Sequence, residues 1–172
     1  MANTFVQIGS TVTVGSGGAS SIDFTSIPST YTDLVLKISG RTNRSLEVDG
    51  ITIRFNNDLT SGNYSGRRLT GAGSGAGSSD TTYAGMPFMN AATATTSAFG
   101  NAEICVPNYA GSAAKSFSID GVGENNATTT YRGFGAGLWS GTAAINRVTI
   151  YPEAGTLILE HSTATLYGIS KS

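Results

Sequence analysis

The sequence predicts an all-β protein, a jelly-roll-like antiparallel β-sandwich of roughly eight to ten strands. Short segments alternate apolar and polar residues, turn residues separate these segments at close spacing, and no stretch of about eleven residues has helical periodicity. The 172 residues of the chain are a typical length for one domain. We therefore expect a single β-sandwich domain over residues 1–172, with the segment 1–20 as a candidate extended arm.

The segment 27–40 is the strongest predicted strand, and we place it in the middle of a sheet. Pro28 fixes its own φ and favours an extended conformation at Ile27. Apolar residues then recur at alternate positions from Leu34 to Ile38. This period of two is typical of a strand with one buried face.

Turn signals define the remaining predicted elements. Asp49-Gly50 is a pair that favours a hairpin turn when strands flank it. The glycine-rich stretch 71–77 predicts a mobile or partner-supported loop, because glycine has no side chain to pack. The other predicted strands are 4–14, 21–24, 51–56, 64–69, 83–89, 99–106, 115–122, 131–139, 145–151 and 157–169.

Charge is sparse and nearly balanced. Charged residues make up 12% of the chain and the formal net charge is −1. The basic residues are scattered, with only Arg67 and Arg68 adjacent, so we expect no nucleic-acid binding. The chain has no apolar run near the ~20 residues that span a membrane, and its N-terminus lacks the pattern of a signal peptide. We expect no membrane association and no signal peptide, and near-neutrality favours a protein that works in an assembly.

Residue types that carry catalysis or bind metals are few. Cys105 is the only cysteine and lies in a strand-like run, where we expect a small buried hydrophobe. His161 is the only histidine, no nucleophile motif accompanies it, and we interpret it as a surface or structural residue. The oxygen-rich segment 56–58 lacks the spacing of a calcium loop and is better explained as a turn. We expect a non-enzymatic protein with no catalytic residues, no metal site and no cofactor.

Aromatic residues and neighbouring arginines are the remaining candidates for a binding surface. In the predicted strand 131–139, Tyr131 and Trp139 share one face, while Phe134 and Leu138 share the other. Glycines leave gaps on the Trp139 face, where a ligand or a neighbouring subunit can approach. The candidate interface or glycan face consists of Tyr64, Arg67, Tyr131, Arg132 and Trp139, and Tyr83 is a further aromatic candidate.

Several segments resemble parts of tailed-bacteriophage virion proteins. They are 27–34 (IPSTYTDL), 53–58 (IRFNND) with 63–65 (NYS), and 162–169 (STATLYGI). The chain is similar to capsid decoration (cement) proteins and to small tail-fibre or head-fibre domains of these phages. The resemblance implies a jelly-roll-like fold and oligomeric attachment to a capsid or tail, and it implies no active-site residues.

Two functions follow from this resemblance and stay open at this point. The first is a decoration protein that bridges capsid subunits, with the major capsid protein or other virion proteins as partners. It would be a homo-oligomer, taken as a trimer, assembled in the host cytoplasm on the capsid exterior, with its N-terminal segment and the 71–77 loop packing on neighbouring subunits. The second is a tail- or head-fibre module that recognises host surface glycans. A bacterial β-domain of unrelated role is a third interpretation.

Overall fold

The fold is an antiparallel β-sandwich, as predicted. It was obtained as a computed structural model, which describes residues 4–81, 84–85, 88–125 and 129–170. In these residues ten strands have five or more residues, and the other strands have two or three. The jelly-roll connectivity stays a prediction. None of the helical structure in the described ranges is long and apolar enough to cross a membrane.

The strands follow one another along the chain with one short 3-10 helix, Ser61–Asn63, between the fifth and the sixth. Their bounds are β1 Phe5–Thr13, β2 Ile22–Phe24, β3 Asp33–Gly40, β4 Val48–Asp49, β5 Ile51–Phe55, β6 Tyr64–Ala72, β7 Gly75–Thr81, β8 Ala84–Gly85, β9 Met89–Asn90, β10 Gly100–Pro107, β11 Lys115–Glu124, β12 Thr130–Trp139, β13 Val148–Pro152 and β14 Thr163–Ile169.

Two sheets of unequal width form the sandwich. The large sheet has eight strands in the order β1-β14-β3-β10-β11-β12-β6-β7, and the small sheet has four in the order β2-β13-β5-β8. A short third sheet pairs β4 with β9. One face of the large sheet packs on the small sheet, and its other face, called the outer face below, is open to solvent. The difference in width leaves part of the large sheet without a partner layer.

Strand β3 occupies the interior position predicted for it. It pairs with β14 on one side and with β10 on the other, both antiparallel. Leu34, Leu36 and Ile38 are buried against the small sheet, whereas Lys37 and Ser39 are exposed on the outer face. The alternation in the sequence therefore predicted both the strand and the orientation of its side chains.

An aromatic cluster lies at one end of the core. Phe55 of the small sheet is completely buried, and its ring meets Phe117 of β11 edge to face at 5.3 Å between centroids. Trp139 of β12 packs on the same ring at 5.7 Å. Burial of a side chain of this size contributes about 1.5–3 kcal/mol, and aromatic pairs contribute about 1 kcal/mol more. The cluster therefore fixes the spacing of the two sheets at this end.

The N-terminal segment is not an extended arm. Residues Phe5–Thr13 form the edge strand β1, which pairs with β14 through matched positions from Phe5↔Ile169 to Thr13↔Thr163. The register shifts between Ile8 and Val12, so the strand carries a bulge. A bulge twists an edge strand and makes it a poorer template for pairing with another chain.

The 71–77 stretch is not a mobile loop either. Strand β7 pairs along its whole length with residues 66–72 of β6, and the chain reverses at Gly73, where φ is +54°. Backbone hydrogen bonds hold this hairpin together, so its small residues need no side-chain packing to be ordered. The composition predicted flexibility because it reports side chains and does not show backbone pairing.

Two further sequence predictions need correction. Asp49-Gly50 does not close a hairpin, because β4 pairs with β9 while β5 pairs with β13 and β8. The buried Asp49 carboxylate instead accepts hydrogen bonds from the Gly50 and Gly155 amides, at 2.9 and 3.0 Å, and so links two chain segments. The predicted strand 157–169 is a strand only from Thr163 onward.

Candidate functional site

Residues of the types that carry catalysis are not grouped. In the described ranges no three His, Cys, Asp or Glu side chains lie close enough together to hold a metal ion. His161 is exposed in a turn with a φ of +69°, as expected of a surface residue. Cys105 is half-buried on the outer face of β10, not fully buried as predicted. Burial and the nearby Asp33 and Glu103 carboxylates raise the pKa of its thiol, which keeps the thiol protonated at neutral pH.

The oxygen-rich segment 56–58 is a turn, as predicted. Asn56 and Asn57 both have positive φ, which asparagine tolerates better than most residues. The Asp58 carboxylate accepts hydrogen bonds from the Trp139 indole Nε1 and the Asn63 amide, both at 2.8 Å. These bonds, that of Trp139 foremost, hold the pKa of Asp58 well below its usual 3.8. The carboxylate joins this turn to the end of β12.

The predicted aromatic face does not exist as a surface. Trp139 and Tyr64 are 4% and 3% exposed, because both point between the two sheets. The Tyr64 hydroxyl accepts a hydrogen bond from the Phe55 amide at 3.1 Å. The gap expected at Gly137 is filled by the ring of Phe117, so no ligand or subunit can approach there.

The other residues of that predicted face lie apart from one another. Tyr131 is half-buried, and its hydroxyl donates a hydrogen bond to the Glu47 carboxylate, which raises the pKa of the phenol. Arg67 and Arg132 lie on the outer face of the large sheet, on the opposite side from Tyr64, Tyr131 and Trp139. Tyr83 lies outside the described residues. The structure therefore separates the arginines from the aromatic rings with which they were grouped.

The outer face carries an exposed apolar stripe. Phe134, Ala136 and Leu138 follow one another along β12, and Leu69 of β6 lies directly opposite Phe134 in the strand register. The exposed fractions are 48% for Phe134, 53% for Leu69 and 39% for Leu138. We call these four residues the apolar stripe. Contiguous exposed apolar side chains on a protein surface often mark interaction sites.

Paired charges surround the apolar stripe. Each pair joins side chains on neighbouring strands, so opposite charges neutralise each other across the sheet. The pairs are Lys37–Glu103 at 3.0 Å, Arg67–Asp80 at 2.9 Å and Arg132–Asp120 at 2.7 Å. The Arg132 guanidinium also lies 4.9 Å from the centroid of the Phe134 ring. These six charged groups add no net charge to the face.

The sequence contained the signal for the apolar stripe. Phe134 and Leu138 share a face, and Gly133, Gly135 and Gly137 occupy the alternate positions. Those glycines lie on the inner side, and at Gly137 the ring of Phe117 occupies the space that a side chain would need. The sequence predicts the binding face on the glycine side, whereas in the structure the Phe134 side is the exposed one.

Comparisons with protein-family models, with curated proteins and with solved structures found no match to this chain.

Proposed function

We propose that this chain is a non-enzymatic capsid decoration protein of a tailed bacteriophage, which docks on the capsid exterior through the outer face of its large sheet. The observation that carries the proposal is the apolar stripe, which is exposed on β12 and β6, two interior strands close to the β7 edge of the large sheet. The resemblance of segments 27–34, 53–58 and 162–169 to phage virion proteins supports the choice of partner.

The charge pattern of the outer face supports a docking role. A charged group that loses its water on binding costs free energy unless it is paired. Lys37–Glu103 and Arg132–Asp120 are already paired before binding, so a capsid surface can cover their strands without leaving a lone charge. The partner surface is accordingly expected to be apolar at its centre and to have little net charge.

Each contact of this kind is weak alone. Covering the exposed half of Phe134 contributes about 1 kcal/mol, and Leu69 contributes a similar amount. A homo-oligomer, which we take as a trimer, presents several copies of the stripe and gains from effective concentration. Such multiple contacts would bridge neighbouring capsid subunits and stabilise the shell, which assembles in the host cytoplasm.

The docking mode differs from the one expected from sequence. Free N-terminal and glycine-rich segments were expected to reach neighbouring subunits, but residues Phe5–Thr13 and Gly75–Thr81 are edge strands of the large sheet. The docking proposal therefore rests on the outer face of the large sheet, which lies between these two edge strands. The glycan-recognition alternative loses its original residues, since Tyr64 and Trp139 are buried.

The test is co-sedimentation of the purified protein with undecorated capsids. The wild-type protein should pellet with the shells, and Phe134→Gln or Leu69→Gln should shift it to the supernatant. Leu59→Gln is the matched control, because Leu59 is 75% exposed but lies in a loop away from the outer face. This control should pellet like wild type.

Three outcomes would overturn the proposal. The wild-type protein could stay in the supernatant with capsids present, or be captured by fibre-less tails and not by shells. The third is equal loss of pelleting in the Phe134 and Leu59 variants, which would show that binding does not depend on the apolar stripe. Circular dichroism of each variant confirms that it is folded before the binding is compared.

A further inference from the structure

A polar cleft lies under the β6–β7 hairpin, on the inner side of the large sheet. It has a volume of about 340 Å³. Among the described residues, the small sheet ends here at its edge strand β8, which has two residues. The side chains used in the argument below are Arg44, Asp49, Arg68, Ser79, Phe88 and Glu153.

The sequence creates this cleft by placing small residues on the inner side of three adjacent strands. Arg68 of β6 lies between Gly135 of β12 and Ser79 of β7, and Gly77 is the next inner residue along β7. Arg68 extends a long side chain from β6 into the space. The result is an open cavity with the Arg68 guanidinium reaching across it, and Arg44, Phe88 and Glu153 line it from other segments.

Two ion pairs supply hydrogen-bonding groups to the cleft. The Arg68 guanidinium contacts both carboxylate oxygens of Glu153 through Nη1, at 3.2 Å, and its Nε donates to the Ser79 hydroxyl at 3.0 Å. The Arg44 guanidinium lies 3.6 Å from the Asp49 carboxylate. The cleft therefore presents both donors and acceptors, and the two cations and two anions give no net charge.

These groups are already held in place. Arg68 is fixed on two sides by Glu153 and Ser79, so a ligand need not order a free side chain. Asp49 is completely buried and bonded to backbone amides, and it serves to hold Arg44. The ring of Phe88 meets Tyr131 edge to face at 5.4 Å and forms an apolar wall.

We propose that this cleft binds a neutral saccharide. Sugar hydroxyls both donate and accept hydrogen bonds, which matches a site that offers guanidinium and carboxylate groups together. The C–H face of a sugar ring suits an aromatic wall such as Phe88. A strongly anionic ligand would meet Glu153, and a cationic one would meet Arg68 and Arg44. The inference goes beyond capsid docking, which uses the opposite face of the same sheet.

The test is a titration of the ¹⁵N-labelled protein followed by amide NMR shifts. The probes are glucose, galactose, N-acetylglucosamine and maltose, with glucuronate and inorganic phosphate as anionic comparisons. At least one neutral sugar should shift the amides of Arg68, Ser79 and Glu153. Arg68→Gln should weaken that binding by about tenfold or more, because it removes charge-assisted hydrogen bonds.

Arg67→Gln is the matched control, since Arg67 precedes Arg68 on the same strand but points to the outer face. It should leave the sugar affinity within about twofold of wild type. If Arg68→Gln does not fold, Arg44→Gln tests the same cleft and should also weaken binding.

The inference is overturned if none of the four neutral sugars shifts the cleft amides, or if only glucuronate or phosphate does. Equal affinity in the Arg67 and Arg68 variants would overturn it as well. Co-sedimentation of Arg68→Gln with capsids separates the two proposals, because that variant keeps the apolar stripe and should still pellet.

Discussion

Gly137→Ala tests the packing between the two sheets. An added Cβ at this position would lie 2.9 Å or less from three carbons of the Phe117 ring. That ring cannot move freely, because it is 4% exposed and packs edge to face on Phe55. Overpacking of this kind lowers the free energy of unfolding by about 1–3 kcal/mol. Replacing glycine also reduces the conformational entropy of the unfolded chain, which raises the free energy of unfolding by about 0.4–1 kcal/mol. We expect a net loss of about 1–2 kcal/mol.

The assay is urea unfolding followed by tryptophan fluorescence, since Trp139 belongs to the same aromatic cluster. In thermal unfolding, the same loss of unfolding free energy corresponds to a decrease in Tm of roughly 2–8 °C for a domain of this size. Gly71→Ala is the control, because its Cβ would meet only the Gly75 carbonyl oxygen, at 3.9 Å. That variant should match wild type or be slightly more stable. A Gly137→Ala protein as stable as Gly71→Ala would refute the packing described for β11 and β12.

Two further predictions concern polar groups. Asp58 has a lowered pKa, so its hydrogen bond from Trp139 stabilises the fold fully above the usual carboxyl pKa of 3.8 and is lost as the pH falls. Wild type should therefore lose more stability than Asp58→Asn between about pH 5 and pH 2 in urea titrations, and parallel losses would contradict this role. Arg41 is buried and donates to four loop carbonyls, among them Ala94 and Ala98 at 3.0 and 2.9 Å. Arg41→Gln should lower the free energy of unfolding by about 3 kcal/mol, measured in the same way, and a loss below about 1 kcal/mol would count against it.

Local patterns predicted the strands well where one face of the large sheet is covered, which holds for β3, β10 and β11 but not for the edge strand β7. In β10 and β11 burial alternates residue by residue, and in β3 it does so from Leu36 onward, which is the pattern that a period of two records. The prediction of an all-β sandwich rests on this regularity and is confirmed. The pattern does not report which sheet a strand joins, so the Asp49-Gly50 hairpin was predicted wrongly.

The exposed face of β12 was predicted less well, for a related reason. Strand β12 has large apolar residues on both sides, with Trp139 on one and Phe134 on the other. Alternation separates the two faces but does not say which one the second sheet covers. Which face is covered depends on residues distant in sequence: the Phe117 ring fills the space beside Gly137, and Phe55 of the small sheet packs on that ring.

The polar cleft could not be predicted from the sequence and was recognised only in the structure. Arg68 and Glu153 are 85 residues apart, and no local spacing brings them together. Arg67 and Arg68 are adjacent in the sequence, but strand geometry sends the two side chains to opposite faces. Arg67 joins the ion pairs of the outer face, whereas Arg68 reaches into the cleft.

The central claim is that the outer face of the large sheet is covered in the assembly, and Cys105 reports on it directly. It is the only cysteine, it is half-buried on that face, and it lines the same shallow depression as Phe134. The measurement is the alkylation rate of Cys105 by iodoacetamide at alkaline pH, in the free protein and in protein pelleted with capsids. Docking through the apolar stripe predicts that the rate falls to a small fraction of the free value on the shells. An unchanged rate in shell-bound protein would contradict the claim.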